Sequence, residues 1–283
     1  MKIMHAIIAV AASSCAVNAQ AATIFGVDEL NNLVTIDSAN AASTLSSVKI
    51  TGLSESIQAL DFRPINNVLY GLGGDKVVYT INTLTGVATA ASGVLGIDGT
   101  EFGFDFNPTI DRLRIVSNTN QNYVFNPNDG TLSTTTPVFY ATGDVGAGRD
   151  PDVTALAYTS STFGAAANTT QLYGIDISAD TLVRQANSAG TLTTVGSIGT
   201  DVGSRTSFDI AGSDAFAVNG RRLFSVNLTS GTLTQTGLID RSLFGIAIQS
   251  AIPEPSSWAL MLAGFGAVGI AMRRRSRVRV TFA

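Results

Sequence analysis

The 283-residue sequence holds one histidine, one cysteine and one tryptophan, and all three lie in its terminal segments: His5, Cys15 and Trp258. Each absence from the middle excludes a kind of chemistry. Without histidine or cysteine, residues 22–250 cannot build a Ser-His-Asp triad, a Cys-His pair, a zinc site of the usual ligands or a thiolate cluster. They cannot form a disulfide either, so their stability must come from burial and backbone hydrogen bonding. Charge is scarce as well, at 13% of residues. Acid-base or ligand chemistry in this body falls to a few carboxylates, arginines and amides.

Both ends read as export machinery. Lys2, the apolar run Ala6 to Ala12 and the small-x-small triplet Ala19-Gln20-Ala21 make residues 1–21 a secretory leader, cut by signal peptidase. Near the other end, Ser256 to Met272 is uncharged. As a helix it would span about 26 Å, the short limit for crossing a bilayer. Arg273, Arg274 and Arg275 would hold its far end in the cytoplasm and leave the body outside. The glycines Gly264, Gly266 and Gly269 match a dinucleotide fingerprint only in spacing, because no βαβ unit surrounds them. Removing Lys2, five tail arginines and Glu254 from the 17 basic and 21 acidic residues leaves 11 against 20, a net charge near −9. Such a body repels nucleic acid and anionic lipid.

The order Pro253-Glu254-Pro255, apolar span, arginine cluster over residues 251–283 resembles the PEP-CTERM sorting signal of Gram-negative bacteria. The resemblance implies an exosortase partner that recognises the tripeptide. The tail then anchors the chain transiently in the inner membrane before the body passes to the cell surface or extracellular matrix.

The body repeats. "ALDFRP" at Ala59, "GFDFNP" at Gly103 and "SFDI" at Ser207 each precede a turn and a second apolar run. A third strand ("VVYTIN", "NYVFNP", "LFSVNL"), a glycine turn and a fourth strand follow. Each unit reads as a four-stranded antiparallel meander. With Asp61, Asp105, Ala157, Asp209 and Ala247 as equivalent marks, the spacings are 44, 52, 52 and 38 residues, which suit propeller blades. The last mark is a lone first strand, whereas "TIFGVDELNNLVTID" has later strands with no first strand before them. Joined, they predict an all-β, five-bladed propeller-like ring over residues 22–250, closed by both termini. A β-sandwich is the alternative.

"GFDFNPTIDRLRIVSNTNQNYVFNPNDG", with "LDFRPINNVLYGLG" before it and "VTALAYT" and "QLYGID" after it, resembles the bacterial domain of unknown function family 4394. The resemblance implies a propeller-like surface protein and brings no catalytic residues.

Three polar sets remain to be placed. Asp105, Asp111, Arg112, Arg114, Gln121, Asn122 and Asn126 are the densest cluster, read either as a ligand site at the ring's mouth or as turn chemistry. Asp61, Asp105 and Asp209 recur in register. They can form a carboxylate ring for Ca²⁺, supply a glycosidase pair, or accept hydrogen bonds from a neighbouring blade; their repetition favours the last. Asp144, Asp150 and Asp152 sit in a glycine-rich loop that can offer oxygens to calcium. The expected function is non-catalytic, a surface or matrix protein that binds polysaccharide, a protein or an ion without an obligatory cofactor. A carboxylate-dependent glycoside hydrolase or lyase is the alternative.

Overall fold

The structure is a computed structural model that describes residues 21–164, 167–250, 261–266 and 268–269. The chain opens with β1 (Thr23–Asp28), β2 (Asn32–Asp37) and β3 (Asn40–Lys49). Then come β4 (Ile57–Arg63), β5 (Val68–Gly73), β6 (Val77–Ile81) and β7 (Ala88–Val94), a four-stranded antiparallel meander. The next meander is β8 (Phe102–Asn107), β9 (Arg112–Ser117), β10 (Asn122–Phe125) and β11 (Leu132–Thr134). A short β12 (Phe139–Tyr140) adds in parallel to the outer edge of a third, made of β13 (Val153–Tyr158), β14 (Leu172–Asp176), β15 (Thr181–Gln185) and β16 (Thr191–Ser197). Last are β17 (Ser207–Ala211), β18 (Asp214–Val226) and β19 (Leu233–Gln249).

Sequence chemistry sets this pattern locally. The leading strand of a meander is nearly continuous apolar sequence, and β8 and β13 are buried along their whole length. Strands buried on both faces read that way. The turn into the fourth strand is built identically three times. Asn82, Asn126 and Asn227 accept backbone N–H bonds from the residues that follow them. Gly86, Gly130 and Gly231 close the same turns at φ 71°, 74° and 89°, a conformation that glycine adopts without steric cost.

The sheets form a propeller-like ring. Five strand segments line its middle in the order β4, β8, β13, β17 and the 243–249 half of β19, and that half packs back on β4. Five hydrophobic clusters fill the wedges between successive leading strands. Examples are Tyr70 and Leu72 with Phe104 and Phe106, and Ile175 and Leu182 with Phe208 and Phe224.

Closure joins the two ends of the body: β1 pairs antiparallel with β19, Thr23 opposite Gln249 and Asp28 opposite Leu243. The count of separate sheets differs from expectation. The ring has four sheets rather than five, because the last two expected units form one six-stranded sheet in the order β17-β18-β19-β1-β2-β3. The ladder shifts register between Arg222, opposite Leu238, and Gly220 (φ 62°), but it resumes with Gly220 opposite Leu243, so the two units stay in one sheet. A two-layer sandwich does not form.

The leader, residues 1–21, lies outside the described residues except for Ala21, as does most of the expected membrane span. Of the span, 261–266 and 268–269 are helical and exposed. Among the described residues no helix is long and apolar enough to cross a membrane.

Candidate functional site

Period-2 alternation turns each mark residue of a leading strand toward the axis. Asp61, Asp105 and Asp209 are 6%, 2% and 4% exposed, and carboxylate oxygens of all three lie within 4.8 Å of one another. Each reaches the strand ahead. Asp61 Oδ2 accepts the Phe106 N–H at 2.6 Å, Asp105 Oδ1 accepts the Tyr158 N–H at 2.9 Å, and Asp209 Oδ2 accepts the Ile248 N–H. In every case the donor follows the next mark by one residue. Two marks, Ala157 and Ala247, carry no carboxylate, so the N–H groups of Ile210 and Phe62 lack a donor-matched partner from the strand behind. Asp209 Oδ1 bends back to Ile210 N–H at 2.6 Å, and the Phe62 N–H favours the Asp61 anion in the same way. Three aspartates thus serve five strands.

Packing three carboxyls together changes their acidity. Burial, then the Asp209 charge, raises the Asp61 pKa well above the ordinary value of 3.8. Burial, then the charges of Asp61 and Asp209, does the same for Asp105. Burial lifts Asp209 only to about 6, because the N–H groups of Ile248 and Ile210 and a side-chain bond with Asp105 stabilise its anion. Burial and mutual repulsion therefore favour the neutral carboxyl in this cluster, Asp61 and Asp105 above all. Among the described residues this trio is the one group of three carboxylates close enough to share a metal ion. Calcium asks for six to eight oxygens, and at least one oxygen of each carboxyl here receives a backbone N–H bond.

The dense polar cluster of the sequence separates into distinct places, because successive turns of a meander lie at opposite ends of the blade. Asp105 is axial. Asp111, in the β8–β9 turn at φ 53°, pairs with Arg63 from the preceding sheet, whose Nε lies 2.7 Å from Asp111 Oδ1. Arg112 donates to the carbonyl of Asp111 at 2.9 Å, and Asn126 sits in the glycine turn, where its amide donates to Asp129. Arg114 and Asn122 are buried between sheets. Arg114 Nη1 donates to Asn122 Oδ1 at 2.8 Å, and its Nε donates to the Tyr158 hydroxyl at 3.3 Å. The Asn122 amide donates to the carbonyls of Thr136 and Asn187. Gln121 lies in the opposite turn and donates to the Thr119 carbonyl. The loop aspartates are likewise apart. Asp144 accepts from Thr194 and Gly146, and Asp150 accepts from Asn120 at 2.6 Å. Asp152 keeps a buried Oδ1 with no partner among the described residues.

A cavity of about 270 Å³ opens on the axis at the leading ends of the inner strands. Its cause is legible in register. The residue two before each mark shares the axial face and is always small: Ala59, Gly103, Ala155, Ser207 and Gly245. One position further out stand Gln58, Phe102, Thr154, Thr206 and Phe244, joined by Glu101 and Arg205 from the adjoining loops. The sequence reading missed these residues, although the repeat that found the marks also predicts their ring.

Comparison with known proteins agrees with this architecture. A chain in the crystal structure of a nidogen/laminin complex superposes with a TM-score of 0.50 at 9% identity, covering 81% of this chain and 98% of that one. This likeness concerns the fold alone. No curated protein matches the sequence. Residues 251–275 match the PEP-CTERM protein-sorting motif, which places the chain among proteins exported to the cell envelope or surface by exosortase-dependent processing. Residues 32–247 match the model of a domain of unknown function, DUF4394, and the chain belongs to that family.

Proposed function

We propose that the mature protein is a non-catalytic binding ring displayed at the cell surface or in the extracellular matrix, associated with exopolysaccharide. The observation that carries this reading is the burial of the axial aspartates. A glycosidase needs two carboxyls that touch the scissile bond, about 5–9.5 Å apart. Here the three recurring carboxyls are buried and spent on backbone N–H groups, and none lines a described cavity. The reading requires no cofactor. It treats the ring as five blades in packing terms, supported by five axial strand segments and five wedge clusters, two of the blades sharing one sheet.

The sorting tail acts as a temporary hold. Replacing Pro253, Glu254 and Pro255 by alanine in the native host should leave the body in the membrane fraction; unchanged release would overturn exosortase processing. Incubating the exported protein with host exopolysaccharide should bind polymer without releasing new reducing ends. Turnover would replace the binding role with hydrolysis.

A further inference from the structure

The axial cavity has the chemistry of a ligand site. Its wall contains a charged acceptor and a charged donor that the fold leaves largely unspent. Among the described residues, the Glu101 carboxylate makes no ion pair and no side-chain hydrogen bond. Arg205 is 66% exposed, is 3.9 Å from an equally exposed Glu29, and lies with its guanidinium 5.0 Å from the Phe244 ring centroid. Thr154 is only 5% exposed, and its hydroxyl is buried without a partner among the described residues. That hydroxyl has no surface open to the cavity, so the polar groups a ligand can reach there are Glu101 and Arg205.

These groups select a ligand class. A simple anion would suit Arg205 but meet Glu101, and a simple cation would suit Glu101 but meet Arg205. A ring bearing several hydroxyls satisfies both, since each hydroxyl donates and accepts. The body's net negative charge further disfavours an anionic polymer. Phe102 and Phe244 give apolar faces for the C–H side of such a ring in place of tryptophan. The volume, about 270 Å³, falls just under the ~300–1,000 Å³ of drug-sized sites, so it suits one ring rather than a stretch of chain.

We propose that the cavity binds a single neutral pyranose unit of a polysaccharide, with Glu101 accepting from and Arg205 donating to its hydroxyls; this rests on the surface-binding reading above. The mouth also faces the right way. Thr23 lies opposite Gln249, so both ends of the body leave at the trailing ends of the inner strands. The cavity opens at their leading ends, away from the sorting tail.

The test uses the exported protein purified from its host, with methyl glycosides of neutral hexoses, glucuronate and host exopolysaccharide as probes. Saturation-transfer NMR and calorimetry read binding. Glu101→Gln and Arg205→Gln change exposed or half-exposed groups, so they should keep the wild-type melting temperature while weakening neutral-glycoside binding about tenfold each. Preference for glucuronate over neutral glycosides would overturn the ligand class. Exopolysaccharide binding that persists in both variants and is not competed by any glycoside would overturn the cavity while leaving surface binding intact. Absence of binding to every probe would overturn both.

Discussion

Asp209 holds two backbone N–H groups at the axis, so its loss strands both. Asp209→Ala leaves Ile210 and Ile248 N–H buried without acceptors, at about 1–3 kcal/mol each. Chemical denaturation should show a drop of that order. Asp105 behaves differently because burial and the charges of Asp61 and Asp209 favour its neutral form. Asparagine reproduces its protonated form, keeping an acceptor for Tyr158 N–H and a donor toward Asp209. Asp105→Asn should therefore fold normally where Asp105→Ala does not. The sign of the pH dependence follows from the raised values. With folded pKa values above 3.8 for all three, about 6 for Asp209, the native chain binds protons that the unfolded chain has released. Their contribution is complete below 3.8 and is lost as pH rises through about 6 and beyond. Asp111, held low by the Arg63 bond, and Asp28, held low by hydrogen bonds from Asn32 that outweigh its burial, act oppositely and lose their contribution as pH falls below 3.8. Stability should peak between about pH 4 and 6, and Asp105→Asn should flatten the alkaline limb of urea midpoints measured from pH 5 to 8. The aspartate layer was legible in the sequence because Asp61, Asp105 and Asp209 share a register. Arg114 and Asn122 were grouped with Asp111 by nearness along the chain, which ignores that β9 carries Arg114 to mid-blade, opposite Asp105, and Asn122 beyond it, opposite Val116.

At the scale of elements, the meander was readable because its corners repeat the same asparagine and glycine chemistry, and its leading strand is apolar throughout. Where corners were tight, the reading lost the boundary. β18 and β19 run through two expected turns, and their pairing resumes at Gly220 and Leu243 after a register shift. No composition signal distinguishes a corner that breaks a ladder from one that does not. Gly245 shows what the axial strands demand. It adopts φ 56°, and a Cβ there would sit 3.0 Å from Ala59 Cα and the Gln58 carbonyl oxygen. A left-handed alanine costs roughly 1–2 kcal/mol before any clash, and the contact atoms here are backbone, which cannot swing aside. Gly245→Ala should lower the melting temperature by several degrees. The same corner reasoning applies to the Arg63–Asp111 pair, which ties the first meander to the turn of the second. Asp111→Ala would leave a nearly buried guanidinium with fewer partners and should destabilise more than a surface ion pair does, by more than about 1 kcal/mol in a denaturant titration.

For the whole molecule, the decisive contact is the one between the chain ends. β1 lies between β19 and β2, so each flanking strand relies on it to cover an edge. Deleting Leu243–Ile248 removes the partner of β1 and the strand that packs on β4, opening the ring at one place and exposing unpaired backbone. That variant should aggregate or lose cooperative unfolding. Misfolding of a shortened chain would not by itself prove that closure is the cause, and a circular permutant separates the two. Thr23 and Gln249 are paired, so a short linker can join Ala22 to Ser250. New ends can be cut in the exposed Thr51–Ser56 segment, between the closing sheet and β4. This permutant keeps every strand but makes the closing unit contiguous, so the ring must now be shut by packing between the sheet of β1–β3 and β4 rather than by hydrogen bonds between the ends. If the wedge of Phe25, Leu33, Leu60, Phe62 and Ala247 is a sufficient seam, the permutant should be monomeric and unfold in one transition, within a few degrees of the parent. A permutant that opens or oligomerises would mean that the strand exchange between β1 and β19, and not the wedge packing, holds the ring closed.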